Sequence, residues 1–174
     1  MNQGWRGSNF GSEAGSPLGI HAFCIRAFCN QNKQCALDRL SCTLDSMIVG
    51  IGVDLCEVDR IEAAIARHGQ RFLERIYTDA ERAYCDSKPN RMERFAGRFA
   101  AKEAAMKAIG TGWRRGVAWR DFEVSRAPSG QPMIAFHGVA AKIAARLGAE
   151  RALVSITHTA SMAMAQVVLE GDRK

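Results

Sequence analysis

Long apolar runs, paired cysteines and phosphate-loop signatures are all missing from this chain. No stretch of eighteen apolar residues occurs, so no membrane-spanning helix is expected. Of six cysteines, Cys24, Cys29, Cys35 and Cys42 precede residue 47, separated by four, five and six residues, and no CxxC pair occurs. That spacing speaks against zinc and against a disulfide framework. A secretory signal with a clear apolar core and cleavage site is also lacking, so reduced thiols in a cytoplasmic protein are expected. The Gly-x-x-x-x-Gly-Lys-Ser/Thr pattern is absent, which excludes a Walker-type loop. Aromatic residues are few (3 Trp, 2 Tyr and 8 Phe), with no RNP-like or GXXG-clamp motif and no internal repeat.

What is present is ordinary in bulk and uneven in detail. The 174 residues, 47% hydrophobic and 24% charged, suffice for one domain with a real core. A net charge of +6 and a pI near 9.2 point to an acidic partner or an anionic ligand. Residues 1–19 are rich in Gly, Ser and Asn and read as flexible, and residues 20–46 are apolar but irregular. At Met47 the text changes sharply. Met47 is expected to be the biological start, with residues 1–46 an N-terminal extension and 47–174 the folded domain.

Ile48–Leu55 reads as a buried strand, with Val49, Ile51, Val53 and Leu55 on one face and Ile48, Gly50, Gly52 and Asp54 on the other. The two glycines leave room for a backbone or a ligand to come close. Asp59 to about Ile76 is helical, bent or restarted at Gly69. If it is continuous, Arg60, Arg67, Arg71 and Arg75 fall within about 80° of one another. Phe95–Gly112 reads as one helix stopped at Gly110-Thr111-Gly112, with Phe95, Phe99, Met106 and Ile109 as its core stripe. Lys102 is expected to snorkel beside that stripe. Glu103 and Lys107 lie on one edge and by spacing alone form an i,i+4 ion pair. A strand over 117–124, a turn at 128–132, a strand over 133–136 and a helix over 140–147 follow. A hairpin pairs 152–157 with 162–169, and residues 171–174 read as a frayed tail. Hairpins mixed with packed helices indicate an α+β fold, an antiparallel sheet packed against helices.

Asp54 ends an apolar strand and needs a partner: a helix cap, a cation or a metal. Asp54 and Glu103, two carboxylates without an accompanying Cys or His pair, suit a hard ion such as Mg²⁺. His158, beside an apolar hairpin, reads by itself as a satisfied structural histidine.

Three segments in order carry a more specific likeness: Ile51-Gly-Val-Asp54, Phe95-Ala-Gly-Arg-Phe-Ala-Ala-Lys-Glu-Ala-x-x-Lys107 followed by Gly-Thr-Gly, and Ser155-Ile-Thr-His-Thr159. Over about Met47 to Leu169 the chain resembles the holo-acyl-carrier-protein synthases, the short, single-copy 4′-phosphopantetheinyl transferases. The resemblance implies that family's fold. It implies transfer of 4′-phosphopantetheine from coenzyme A to a serine of apo-acyl carrier protein, in support of fatty acid biosynthesis. It further implies that Asp54 and Glu103 hold Mg²⁺ against the pyrophosphate and that Lys107 meets the transferred phosphate, these three being the catalytic set. Arg98, Gly110, Thr111 and Gly112 would line the nucleotide end, and His158 and Thr159 would complete it near the 3′-phosphate. Glu57 fits the pattern after the aspartate. A homotrimer is implied, with His158 reaching across to a neighbour's site. Carrier proteins are acidic, so Arg60, Arg67, Arg71 and Arg75 become a candidate docking strip. A basic nucleic-acid-binding α+β module and a scaffold that binds coenzyme A without turnover are the competing readings.

Overall fold

Period-two alternation from Met47 builds the first element, strand β1 (Met47–Glu57). The computed structural model describes residues 47–171. The expected extension, residues 1–46, and residues 172–174 lie outside the described residues. Helices α1 (Val58–His68) and α2 (Gln70–Ile76) follow β1. The helical stretch expected from Asp59 to about Ile76 restarts at Gly69, as the sequence allowed, because Gly69 adopts φ 55° and ψ −138°, which ends the ladder of helical hydrogen bonds. The angular argument for one continuous arginine strip fails with it.

Helix α3 (Asp79–Asp86) has no counterpart in the sequence reading. It starts on a reciprocal cap: Glu81 N–H donates to Thr78 Oγ1 at 3.3 Å, and Thr78 N–H donates to Glu81 Oε2 at 2.8 Å. Helix α4 (Arg91–Ala108) begins four residues before Phe95 and ends at Ala108. Phe95, Phe99, Met106 and Ile109 are all buried, as the stripe predicts. The chain leaves α4 through Gly110, whose φ of 69° lets Gly110 and Thr111 N–H reach back to the Lys107 and Met106 carbonyls.

The strand expected over 117–124 starts later. Asp121 accepts hydrogen bonds from the backbone of Ala118 and Ala140 and holds Trp119–Asp121 in a 3₁₀ turn. Strand β2 (Phe122–Arg126) then pairs antiparallel with β3 (Pro132–Phe136). Helix α5 (Gly138–Arg146) leads to the long hairpin of β4 (Ala149–His158) and β5 (Met162–Gly171). Gly171 is paired with Met47 and with Ala149, so the chain does not fray there. The main sheet is antiparallel with order β1-β5-β4, and the fold is α+β as the alternation of hairpins and helices indicates.

Helix α4 crosses this sheet. A Cβ on Gly52 would run into the Ala104 carbonyl, one on Gly50 into the Ala108 carbonyl, and one on Gly97 would lie 3.1 Å from Ile156 Cγ2. The N-terminal half of α4 thus lies over β4 and the C-terminal half over β1. The strand glycines admit helix backbone, not a ligand. Small β1 residues face the helix, so the large ones face away: Ile51 and Leu55 are each 59% exposed and Val53 49%. The strand expected to be buried is buried on one face only.

Candidate active site

The close seating of Gly52 under Ala104 brings the next residue on that face, Asp54, toward the adjoining turn of α4. Glu103 lies there, half-buried. Burial, then the charge of Asp54, raises the Glu103 pKa, while Lys107 and Arg60 pull it back. The same corner holds the Cys56 thiol, pushed up to about 11 by burial, with Arg60 opposing and Asp54, Glu103 and Glu57 adding to the rise. Lys107 Nζ donates to Asp54 Oδ1 at 2.8 Å and to the Val53 carbonyl at 2.9 Å. The i,i+4 pairing of Glu103 with Lys107 is not made; Glu103 has no ion-pair partner among the described residues. Tertiary packing supplies Lys107 with a nearer carboxylate.

Two carboxylates crowded so that one resists ionisation form an oxygen-only donor set that suits a divalent cation. No group of three or more His, Cys, Asp or Glu capable of holding a metal exists among the described residues. Among the described residues this corner brings two carboxylates together, a donor set that fits Mg²⁺, an ion that keeps its other positions for water and phosphate oxygens.

The opposite half of α4 carries a second set. His158 Nδ1 lies 3.0 Å from Glu93 Oε2. His158 is thus partnered, and the pairing also points it at a cleft of about 250 Å³ lined by Arg94, Arg98, Arg126, Tyr84 and Ile156. Arg98 is buried and stacks 4.2 Å from the Tyr84 ring centroid. Glu93 and Glu103 are ten positions apart, about 15 Å along the axis at 1.5 Å per residue. The carboxylate pair and the arginine cleft thus form two half-sites on opposite halves of α4, with Arg98 about 7.5 Å along the axis from Glu103.

The turn after α4 is tied to itself. Thr111 is buried, its hydroxyl 2.9 Å from the Gly112 carbonyl and 3.3 Å from that of Met106. Thr159 closes the β4–β5 turn, its N–H donating to the Met162 carbonyl at 2.8 Å and its hydroxyl accepting from Met162 N–H at 3.1 Å. Of the four expected docking arginines, all are exposed, but only Arg71 and Arg75 line a groove of about 550 Å³. Phe72, Phe99, Trp113 and Trp119 form its apolar walls, and Arg75 sits 5.5 Å from the Trp113 ring centroid. Lys102 does not snorkel. It is fully buried, with Nζ 2.8 Å from Glu81 Oε2 and bonded to the Trp119 and Phe122 carbonyls.

The sequence pattern of the 4′-phosphopantetheinyl transferase superfamily matches residues 50–165, which include both half-sites. The chain belongs to this superfamily. Nucleic-acid binding is displaced as a reading. The transferase is 59% identical over 124 residues to the holo-[acyl-carrier-protein] synthase of Solibacter usitatus, covering 71% of this chain and 99% of that one. Among solved structures it resembles the Helicobacter pylori holo-[acyl-carrier-protein] synthase in complex with coenzyme A. The TM-score is 0.61 at 31% identity, over 68% of this chain and 98% of that one. The Bacillus anthracis holo-(acyl-carrier-protein) synthase in complex with CoA (3′,5′-ADP) gives a TM-score of 0.60 at 38% identity, over 72% and 99%.

Sequence reasoning missed Arg94, Arg126 and Tyr84 in the transferase. Arg94 was within reach, since it precedes Arg98 by one helical turn. Arg126 and Tyr84 leave no local pattern, because they meet the cleft from β2 and α3.

Proposed function

We propose that this enzyme transfers 4′-phosphopantetheine from coenzyme A to a serine hydroxyl of an apo-acyl carrier protein, releasing adenosine 3′,5′-bisphosphate. The observation that carries this reading is the pair of half-sites: acidic residues with a lysine at one end of α4, and arginines with a histidine at the other. A pyrophosphate with bound cation suits the first, and the phosphate on the far side of the ribose suits the second. The serine oxygen attacks the pantetheine-side phosphorus, the bond to the bridging oxygen breaks, and the serine proton is lost. Asp54 and Glu103 would hold Mg²⁺, which supplies charge neutralisation on the phosphoryl oxygens. Lys107, able to swing from Asp54 to the substrate, serves as an electrostatic clamp on the transferred phosphate. Gly110-Thr111-Gly112 follows the carboxylate end of α4, away from the chain's own arginine cleft, and would line the nucleotide only where a neighbour's cleft meets it. Incubation with coenzyme A, Mg²⁺ and an apo-carrier should add the phosphopantetheine mass to the carrier; an unmodified carrier would refute the activity.

The carboxylate pair and the arginine cleft lie on opposite halves of α4, an arrangement that favours a site completed by a neighbouring copy. The exposed apolar face of the main sheet supplies a means of bringing copies together. Ile51 and Leu55 of β1 lie in register with Val168 and Met164 of β5, Val53 lies opposite Gln166, and Leu153 of β4 pairs with Val168. A homotrimer with shared sites, His158 and Thr159 serving a neighbour, is the assembly we propose for that face. Ile51→Asp with Leu55→Asp is expected to yield monomers by light scattering and to cut transfer at least tenfold. A monomeric double variant with full activity at nanomolar concentration would sink the shared site.

The Arg71–Arg75 groove, with Arg60 and Arg67 on the preceding helix, is where an acidic, amphipathic carrier helix would dock, fatty acid synthesis being the implied setting and the cytoplasm the implied compartment. Reversing Arg71 and Arg75 to Glu should raise the carrier KM at least tenfold and leave coenzyme A binding intact. A carrier KM with unchanged value and salt dependence would count against the groove.

A further inference from the structure

The cleft at the N-terminal half of α4 holds a group whose arrangement the transfer reaction does not by itself explain. Arg98 is 6% exposed, its Nε has no hydrogen-bond partner, and its one protein bond is a long 3.5 Å contact to the Arg94 carbonyl. No carboxylate pairs with it among the described residues. A buried guanidinium in that state is costly unless something else stabilises it. The Tyr84 ring does so in part, its face 4.2 Å from the Arg98 guanidinium carbon. Tyr84 holds a second arginine as well. Arg126 Nη1 donates to the Tyr84 hydroxyl oxygen at 3.0 Å, and Arg126 also lacks a carboxylate partner among the described residues. The phenol oxygen accepts from Arg126 and keeps its own proton free to donate.

One tyrosine thus sets two unpaired guanidiniums, one on its face and one at its oxygen, beside a single small cleft. The carboxylate nearest the cleft, Glu93, is engaged by His158 at 3.0 Å and by Asn90 Nδ2 at 2.8 Å. Planar guanidiniums without carboxylates are suited to bidentate recognition of a phosphate monoester, and two of them match its double charge. With the pyrophosphate assigned to the carboxylate half-site, the monoester left for this cleft is the donor's 3′-phosphate.

We propose that Tyr84 is a positioning and specificity-determining residue. By orienting Arg98 and Arg126 together it makes the enzyme distinguish coenzyme A from 3′-dephospho-coenzyme A. The inference rests on the reading of this cleft as the nucleotide end. Tyr84 acts through the arginines and not on the reacting atoms, so its loss falls on KM and leaves kcat nearly unchanged.

The test is a comparison of KM, kcat and directly measured Kd for the two donors in the full-length wild type, Tyr84→Phe and Tyr84→Leu. Wild type should favour coenzyme A. Tyr84→Phe keeps the ring under Arg98 but loses the bond to Arg126, and should raise the KM for coenzyme A by about three- to tenfold. Tyr84→Leu loses both and should raise it by more than tenfold, while the KM for the dephospho donor stays within about twofold in each variant. Adding Arg126→Gln to Tyr84→Phe removes the second guanidinium itself and should raise the KM for coenzyme A further, but by less than the product of the two single effects, because Tyr84→Phe has already misplaced Arg126. A donor preference that survives in both Tyr84 variants, or a loss of equal size on both donors, overturns the role of Tyr84 alone. A wild type that modifies carrier equally well from either donor overturns the nucleotide reading of the cleft and the proposal together.

Discussion

Alanine at Asp54 or Glu103 is expected to lower phosphopantetheine transfer by at least about 10²–10³-fold and to leave the protein folded. Both carboxylates sit where α4 meets β1, and neither bears a core contact that alanine would empty. Each would hold the cation that neutralises the phosphoryl charge, so loss of either should abolish the rise in rate with added Mg²⁺. A variant that keeps full Mg²⁺-dependent activity would remove the assignment. Glu103→Gln separates charge from shape. Folded Glu103 holds its proton more tightly than the unfolded chain, so its contribution to stability is fully present below about pH 4.3 and is lost as pH rises through the raised value. In metal-free buffer at neutral pH, Glu103→Gln should therefore raise the midpoint of thermal unfolding while abolishing transfer. The gain should vanish below about pH 4. A variant destabilised at neutral pH would show that Glu103 is held by contacts and not crowded by Asp54.

Lys102→Met should have the largest effect on stability, a loss of about 3–5 kcal/mol. The ammonium is fully buried and joins α4 to three places: Glu81 on α3, the 3₁₀ turn at Trp119 and the start of β2 at Phe122. Burial lowers its pKa, and the charge and hydrogen bond of Glu81 oppose that shift. Glu81 is itself 1% exposed and also receives Thr78 N–H and Val124 N–H, so removing Lys102 strands a buried carboxylate. Against a total near 5–15 kcal/mol for a domain, that loss is a large fraction. Adding Glu81→Gln should recover part of it, since the stranded charge goes too. Urea unfolding of the two variants measures both effects. A single variant within about 1 kcal/mol of wild type would show that the pair is not closed off from water.

The neighbouring residues Lys102 and Glu103 thus have unrelated tasks, one a buried tie and the other half of a candidate metal site. Helical spacing could place them on different sides of α4. It could not say that the Phe-lined side continues into a closed pocket containing Glu81, because Glu81 lies on a helix that the sequence reading did not assign. The Thr78-x-x-Glu81 cap was a legible signal for that helix.

Local periodicity by itself determined the outline. The alternation of β1, the core stripe of Phe95, Phe99, Met106 and Ile109, the stop at Gly110 and the hairpin ending in His158 all follow from residues within a few positions of one another. The order of the three motifs was enough to indicate the family. Only the tertiary structure decided that Gly50 and Gly52 admit helix backbone, that the large β1 residues face outward, and that Gly69 divides the arginines. It also decided that Lys107 takes Asp54 instead of Glu103, and that Tyr84, Arg98 and Arg126 share a cleft with His158. These outcomes depend on which partners come within a few ångströms from distant parts of the chain. Such contacts impose no repeat on the sequence, so they become visible only when the elements are packed.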